Sequence, residues 1–216
     1  MIVALVWTVG MLSLTPLVQA QPSACRPPEA RILDNSTMTK LTGQWFLTAA
    51  TLHDSKFRDM LKGVQTSSIS LYPSLANDKF RMKFYISSGG ICVHNQTIFY
   101  VNRSKRTLFR KIGGKEYSSQ LLATNMEDNF RLRFLGEEEA VGGLALYARN
   151  RTLSQEQQEE FQAQALCEGF SRNETIFFPT EEDVCQLVVR NEELEEKEKR
   201  KEKKEQEEQP SAFPSV

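Results

Sequence analysis

The chain has 216 residues, 40% of them apolar, and a formal net charge of −1. That length suits one hydrophobic core with appendages, because a single core stays efficient to roughly 250 residues. The balanced charge gives the polypeptide no bias toward nucleic acid or anionic membrane, and neither is expected as a partner.

In chain order, the first twenty residues, MIVALVWTVGMLSLTPLVQA, form an apolar run broken by Pro16 and closed by the small-x-small pattern Val18-Gln19-Ala20. This reads as an export signal, although only the α-amino group supplies its positive end. Cleavage would leave Gln21 first and no membrane span. A retained segment would be short and interrupted for the roughly 20 apolar residues that a span needs. The expected organisation is signal 1–20, one domain 21–190 and a charged, disordered tail 191–216, hence a secreted, extracellular protein.

At LTGQWFLTAA, residues 41–50, a G-x-W opens a run in which Trp45, Leu47 and Ala49 alternate. DSKFRDMLKG then reads as a helical turn or lid, with Phe57, Met60 and Leu61 as its apolar side and Gly63 at its end. Short alternating runs follow. SISLY pairs Ile69 with Leu71, FRMKFYI aligns Phe80, Met82, Phe84 and Ile86, and FRLRFL sets Phe130, Leu132 and Phe134 against Arg131 and Arg133. Such alternation gives strands with one dry and one wet face. With CVHNQTIFYV, RTLFRKI, YSSQLLA and GLALYAR there are about eight strands, the number at which a closed antiparallel barrel holds one small ligand. The register of the Cys92–Val101 run stays open, because Asn95 should face outward if glycosylated while residues of both parities beyond it are apolar.

TLSQEQQEEFQAQAL carries a capping box at Ser154 and Gln157, with Leu153, Phe161 and Ala165 at helical spacing, and predicts one helix packed on the barrel. ETIFFP is a brief extended segment that Cys185 would pin back. From Glu192 to Glu208 acids and bases alternate in blocks, including the pair Glu195 and Lys199, with almost nothing to bury.

Four cysteines, Cys25, Cys92, Cys167 and Cys185, imply two disulfides in an exported chain, with three connectivities open. No C-x-x-C occurs and His53 and His94 lack ligand-spaced neighbours, so no metal or other cofactor is expected. Sequons at Asn35, Asn95, Asn102, Asn150 and Asn173 predict a glycosylated surface.

The G-x-W at Gly43–Trp45, the eight-strand pattern and the late helix resemble the lipocalin family. IGGKEYSSQLL, GGLALYARN, SQEQQEEFQAQAL, the four cysteines and the Glu- and Lys-rich tail resemble its alpha-1-acid glycoprotein branch. The resemblance implies an up-and-down barrel with an open mouth and a tryptophan floor, and disulfides joining Cys25 with Cys167 and Cys92 with Cys185. It also implies an inward ligand-binding set of Trp45, Leu47, Leu52, Val64, Ile69, Leu71, Phe80, Met82, Phe84, Arg110, Leu132, Phe134 and Tyr147. That branch generally favours aromatic residues at positions 47, 52, 69 and 71 and often a carboxylate at 84. With Leu47, Leu52, Ile69, Leu71 and Phe84 here, Arg110 would be an inward cation short of counter-charge, which favours acidic lipids as ligands.

The resemblance implies a monomeric plasma carrier of small lipophilic ligands, of acute-phase and immunomodulatory type, that binds without chemistry. An isomerase using a cavity cysteine is disfavoured because the disulfides consume every cysteine, so no enzymatic activity is expected. Two alternatives remain: a glycan-bearing immune modulator with the pocket secondary, and a lipoprotein-associated lipocalin, like apolipoprotein M, that keeps its signal as an anchor.

Overall fold

The computed structural model describes residues 25, 27–122, 126–136, 141–179 and 184–208. The expected export signal lies outside them. Eight strands run antiparallel in chain order: β1 (Gly43–Leu52), β2 (Thr66–Ser74), β3 (Lys79–Ser88), β4 (Ile91–Asn102), β5 (Thr107–Ile112), β6 (Lys115–Leu121), β7 (Asn129–Leu135) and β8 (Val141–Ala148). Because β1 pairs with both β8 and β2, the sheet closes on itself as an up-and-down barrel. Two of its hairpins turn through Gly89-Gly90 and Gly113-Gly114, whose positive φ at both positions is the condition for a tight two-residue turn matched to strand twist.

The alternation expected along β1 breaks at one point. Leu47 lies opposite Tyr147 but Ala49 lies opposite Leu146, so Thr48 is an inserted residue, a β-bulge. Its hydroxyl donates to the Leu146 carbonyl at 3.1 Å, and its own carbonyl accepts the Phe178 N–H at 3.0 Å. Beyond the bulge the faces exchange. Ala49, read from sequence as sharing a face with Trp45 and Leu47, packs instead with the outer helix, and Ala50 joins the cluster that contains Leu47. β1 also changes partners: Gly43–Phe46 pair with β2, and Ala49–Thr51 pair with a ninth strand, β9 (Thr175–Phe177).

Helix α1 (Asn35–Lys40) is capped by Asp34, whose carboxylate accepts the Thr37 N–H at 2.7 Å. Its Met38 joins Leu33 and Leu41, fully buried, across the lower end of the barrel. Helix α2 (Ser55–Lys62) crosses the opposite, open end, and Gly63 caps it as an ordinary right-handed residue. Helix α3 (Gln155–Cys167) starts with the Ser154–Gln157 capping box and buries Phe161 and Ala165, with Leu153, against Ala49, Leu144, Leu146 and Ala148. Arg133 on β7 clasps Glu168 just past its end with two hydrogen bonds of 2.6 Å. Disulfides join Cys25 with Cys167 and Cys92 with Cys185.

The charged segment read from sequence as a disordered tail runs as helix α4 (Gln186–Glu208). Its first turns have something to hold, since Cys185 and Val189 are buried against Tyr85. Glu192 also accepts hydrogen bonds from Lys83 at 2.8 Å and Tyr85 at 2.9 Å. Farther along, Glu195 and Lys199 form the expected i to i+4 pair at 3.6 Å. None of the described helices is long and apolar enough to cross a membrane.

Candidate binding cavity

The floor is built first. Trp45 is fully buried, and its indole N–H donates to the Leu41 carbonyl at 2.8 Å. Beneath the ring, the Arg149 guanidinium sits 3.5 Å from its centroid, held by the carbonyls of Gln44 at 2.8 Å and Thr42 at 2.9 Å. Phe130 meets the indole edge-on at 4.8 Å and stacks on Tyr147 at 5.1 Å. Above Leu41 and Phe130 opens a cavity of about 420 Å³.

Its wall follows the strand period. β2 supplies Ile69 and Leu71, β3 Phe80 and Met82, β7 Leu132 and Phe134, β1 Leu52, β5 Arg110 and β8 Tyr147, all positions singled out from the sequence. Four others of that set lie off the wall. Trp45 is one layer lower, behind Leu41 and Phe130. Phe84 packs on the core cluster. Leu47 and Val64 belong to a separate apolar cluster with Ala50, Ile86, Ile176 and Phe178, where β9 pairs along the edge of β1.

The wall also holds residues the sequence reading missed. Phe99 on β4 went unassigned because that register was open, and pairing of Phe80 with Phe99 now fixes it. Tyr117 and Ser119 alternate in YSSQLLA as clearly as any other strand, and Arg110 lies opposite Tyr117. Phe57, on the apolar side of α2, faces the cavity while remaining 56% exposed. That helix is fixed by Asp54, which accepts the Lys56 N–H at 2.8 Å, and by Arg58, which donates to Leu52 and His53 carbonyls and to Glu174 at 3.2 Å. Ser171 hydrogen bonds, then the charges of Arg58 and His53, hold the Glu174 carboxyl below its usual range despite some burial.

Polar groups in the cavity are few. Arg110 lies 5.4 Å over the Phe99 ring, and among the described residues no carboxylate ion-pairs with it. Burial pushes the Tyr147 phenol up to about 12, with the charge of Arg110 pulling the other way. At neutral pH the site therefore offers one cation, Arg110, with the un-ionised Tyr147 phenol and the hydroxyls of Tyr117, Ser118 and Ser119 in a chamber otherwise apolar. Among the described residues no group of three His, Cys, Asp or Glu could hold a metal ion.

Against known proteins, the Lipocalin / cytosolic fatty-acid binding protein family matches residues 42–183, from just before the G-x-W to just before Cys185. The chain belongs to the lipocalin family. It is 29% identical to rabbit (Oryctolagus cuniculus) alpha-1-acid glycoprotein over 194 residues, covering 90% of this chain and 96% of that one. It is 32% identical to mouse (Mus musculus) alpha-1-acid glycoprotein 3 over 180 residues, covering 81% and 85%. Among solved structures, the siderocalin Ex-FABP superposes with a TM-score of 0.55 at 15% identity, covering 66% of this chain and 96% of that one. A second siderocalin gives 0.53 at 12%, with 68% and 94% covered. At that identity the solved structures carry the fold alone.

Proposed function

We propose that this lipocalin is a secreted, monomeric plasma carrier of small lipophilic ligands, that acidic single-chain lipids are its preferred cargo, and that it binds without chemistry. Membership of a small-ligand-binding family supports the carrier reading. The observation behind the acid preference is Arg110, a guanidinium among aliphatic and aromatic walls with no described carboxylate beside it. A cation in such a place is costly unless a ligand anion or water compensates it. Burying a chain of a dozen or more methylenes supplies the drive at about 25 cal/mol per Å² of apolar surface. After lost freedom is counted, micromolar affinity, about −8 kcal/mol, is the expected scale.

Two disulfides and the export signal support secretion, and similarity to alpha-1-acid glycoproteins supports an acute-phase, immunomodulatory setting. Asn35, Asn95, Asn150 and Asn173 are exposed, which suits glycosylation there. Titration calorimetry with hexadecanoate, hexadecanol and hexadecylamine tests the preference. Hexadecanoate should bind about tenfold more tightly than the alcohol, and the amine most weakly. Equal or tighter binding of the amine would reverse the proposal, and no binding of any of the three would remove the carrier reading.

A further inference from the structure

β4 and β5 are joined over three rungs only: Asn102 with Thr107, Val101 with Leu108 and Tyr100 with Phe109. Toward the mouth β4 continues to Ile91 on β3, and β5 continues to Ile112 on β6, but neither strand meets the other again. The barrel wall is slit from the last rung upward.

Side chains that should be hidden reveal the slit. Phe99 lines the cavity, so Val93 shares its inward face by alternation, yet Val93 is 55% exposed. Ile112, in phase with Arg110, is 48% exposed, and Tyr117, opposite Arg110, is 49% exposed. On the far wall the inward-facing pair Ala50 and Ala145 is 3% and 1% exposed.

The two faces of the wall change hands within one residue. Phe99 and Arg110 border the cavity, while Tyr100 and Phe109, stacked at 5.5 Å, border an outer cleft of about 720 Å³. That cleft also reaches Thr97, an inward position, together with Ile98, Arg81 and Lys111. Its charges are mainly positive. Arg81 and Lys111 stand on the lips and Lys79 lies 5.4 Å over Tyr100, against Glu116, which is opposite Lys111 in the ladder.

Building on the carrier reading above, we propose that the slit between β4 and β5 is a lateral subsite for the acid group of a single-chain anionic lipid. The chain lies in the cavity with its tail toward Leu41 and Phe130, and the carboxylate passes Arg110 to rest between Arg110 and Lys111. Phe99 and Arg110 on the cavity side are chain neighbours of Tyr100, Phe109 and Lys111 on the cleft side, and Arg81 and Lys111 border that outer cleft. An amphiphile needs that order, since the apolar chain gains from burial and the anion keeps both water and counter-charge.

Photo-crosslinking of the secreted glycoprotein distinguishes this route from exit through the mouth. Hexadecanoate carrying a diazirine at carbon 3 should label Thr97–Phe99 or Lys111, and one with the diazirine at carbon 15 should label residues near Leu41 or Phe130. Labelling by the carbon-3 probe at Leu52–Phe57 or Leu135 would overturn the lateral subsite and leave the carrier reading intact. Absence of cavity labelling by either probe would overturn both. Lys111→Glu, outside the cavity, should weaken hexadecanoate about threefold to fivefold and leave hexadecanol unchanged, the scale of one partly exposed ion pair. Unchanged hexadecanoate affinity would also count against the subsite.

Discussion

The wall of β8, β1 and β2 and the wall of β4 and β5 are written in the same alternating code, but the first is sealed and the second is slit. Outside the first lies α3, with Phe161 and Ala165 buried on Leu144 and Leu146, and along the upper edge of β1 the strand β9 continues the sheet, with Ile176 and Phe178 packed in the cluster of Ala50. Among the described residues, the second has no such cover at its β5 edge. What lies nearby is the start of α4, stapled to β3 and β4 by Cys92–Cys185 and by Glu192. Period-2 patterning therefore fixes which face is apolar. Closure depends on what packs against the sheet.

Mutations should separate the two walls, with the largest losses at the floor and on the sealed side. Trp45→Ala removes a fully buried indole, its bond to Leu41 and the Arg149 stack, and should cost about 3–5 kcal/mol in denaturant unfolding. Arg133→Ala should cost about 3 kcal/mol by the same measurement, since it leaves the Glu168 carboxylate, 1% exposed, without its bidentate partner. Gly143→Ala would set a methyl group 2.7 Å from the Thr51 carbonyl and against Leu52, and should lower stability by about 1–3 kcal/mol.

Effects on the slit side should be smaller and, at α4, dependent on pH. Burial favours the neutral form of Glu192, but hydrogen bonds from Lys83 and Tyr85, with the charges of Lys83 and His94, outweigh it and lower the carboxyl from 4.5. A carboxylate depressed in the folded state stabilises above its unfolded pKa, and that contribution disappears as pH falls through the folded value. Glu192→Gln should thus be about 1 kcal/mol less stable than the parent at pH 7, with the gap closing below about pH 4. A gap that persists undiminished at pH 3 would contradict the role of the ionised Glu192 in holding α4 to Lys83 and Tyr85. Smallest of all, Ile112→Ala should change stability by less than about 0.5 kcal/mol, because its side chain already meets water.

Much of this was legible in the sequence because the signals were local. The capping box of α3, the turn glycines and the phase of Ile69, Leu71, Phe80, Met82, Leu132 and Phe134 each follow from residues a few positions apart. What was not legible depended on distant partners. The bulge at Thr48 answers to β8 and Phe178, and it moved Ala49 to the outside. Leu47 and Val64 lie off the cavity in a cluster with Ile176 and Phe178, which come more than a hundred residues later. Phe99 and the slit required the β4 register, which the mixed apolar run and Asn95 obscured. Asn95, expected to face outward, lies opposite Phe84 in phase with Thr97 and Phe99 and is exposed all the same. α4 is held by Tyr85 and Lys83, which no reading of its own charge pattern could supply.

In the proposed carrier Arg110 is the group that selects an anion within an apolar cavity. The direct test is calorimetric affinity for hexadecanoate and hexadecanol in the parent protein and in Arg110→Met, which keeps an unbranched stem and removes the guanidinium and its charge. The parent should prefer the acid by about tenfold, and the variant should bind both ligands alike, with hexadecanol no weaker than before. A variant that retains the full acid preference would contradict the assignment of Arg110 and the acidic-lipid reading built on it.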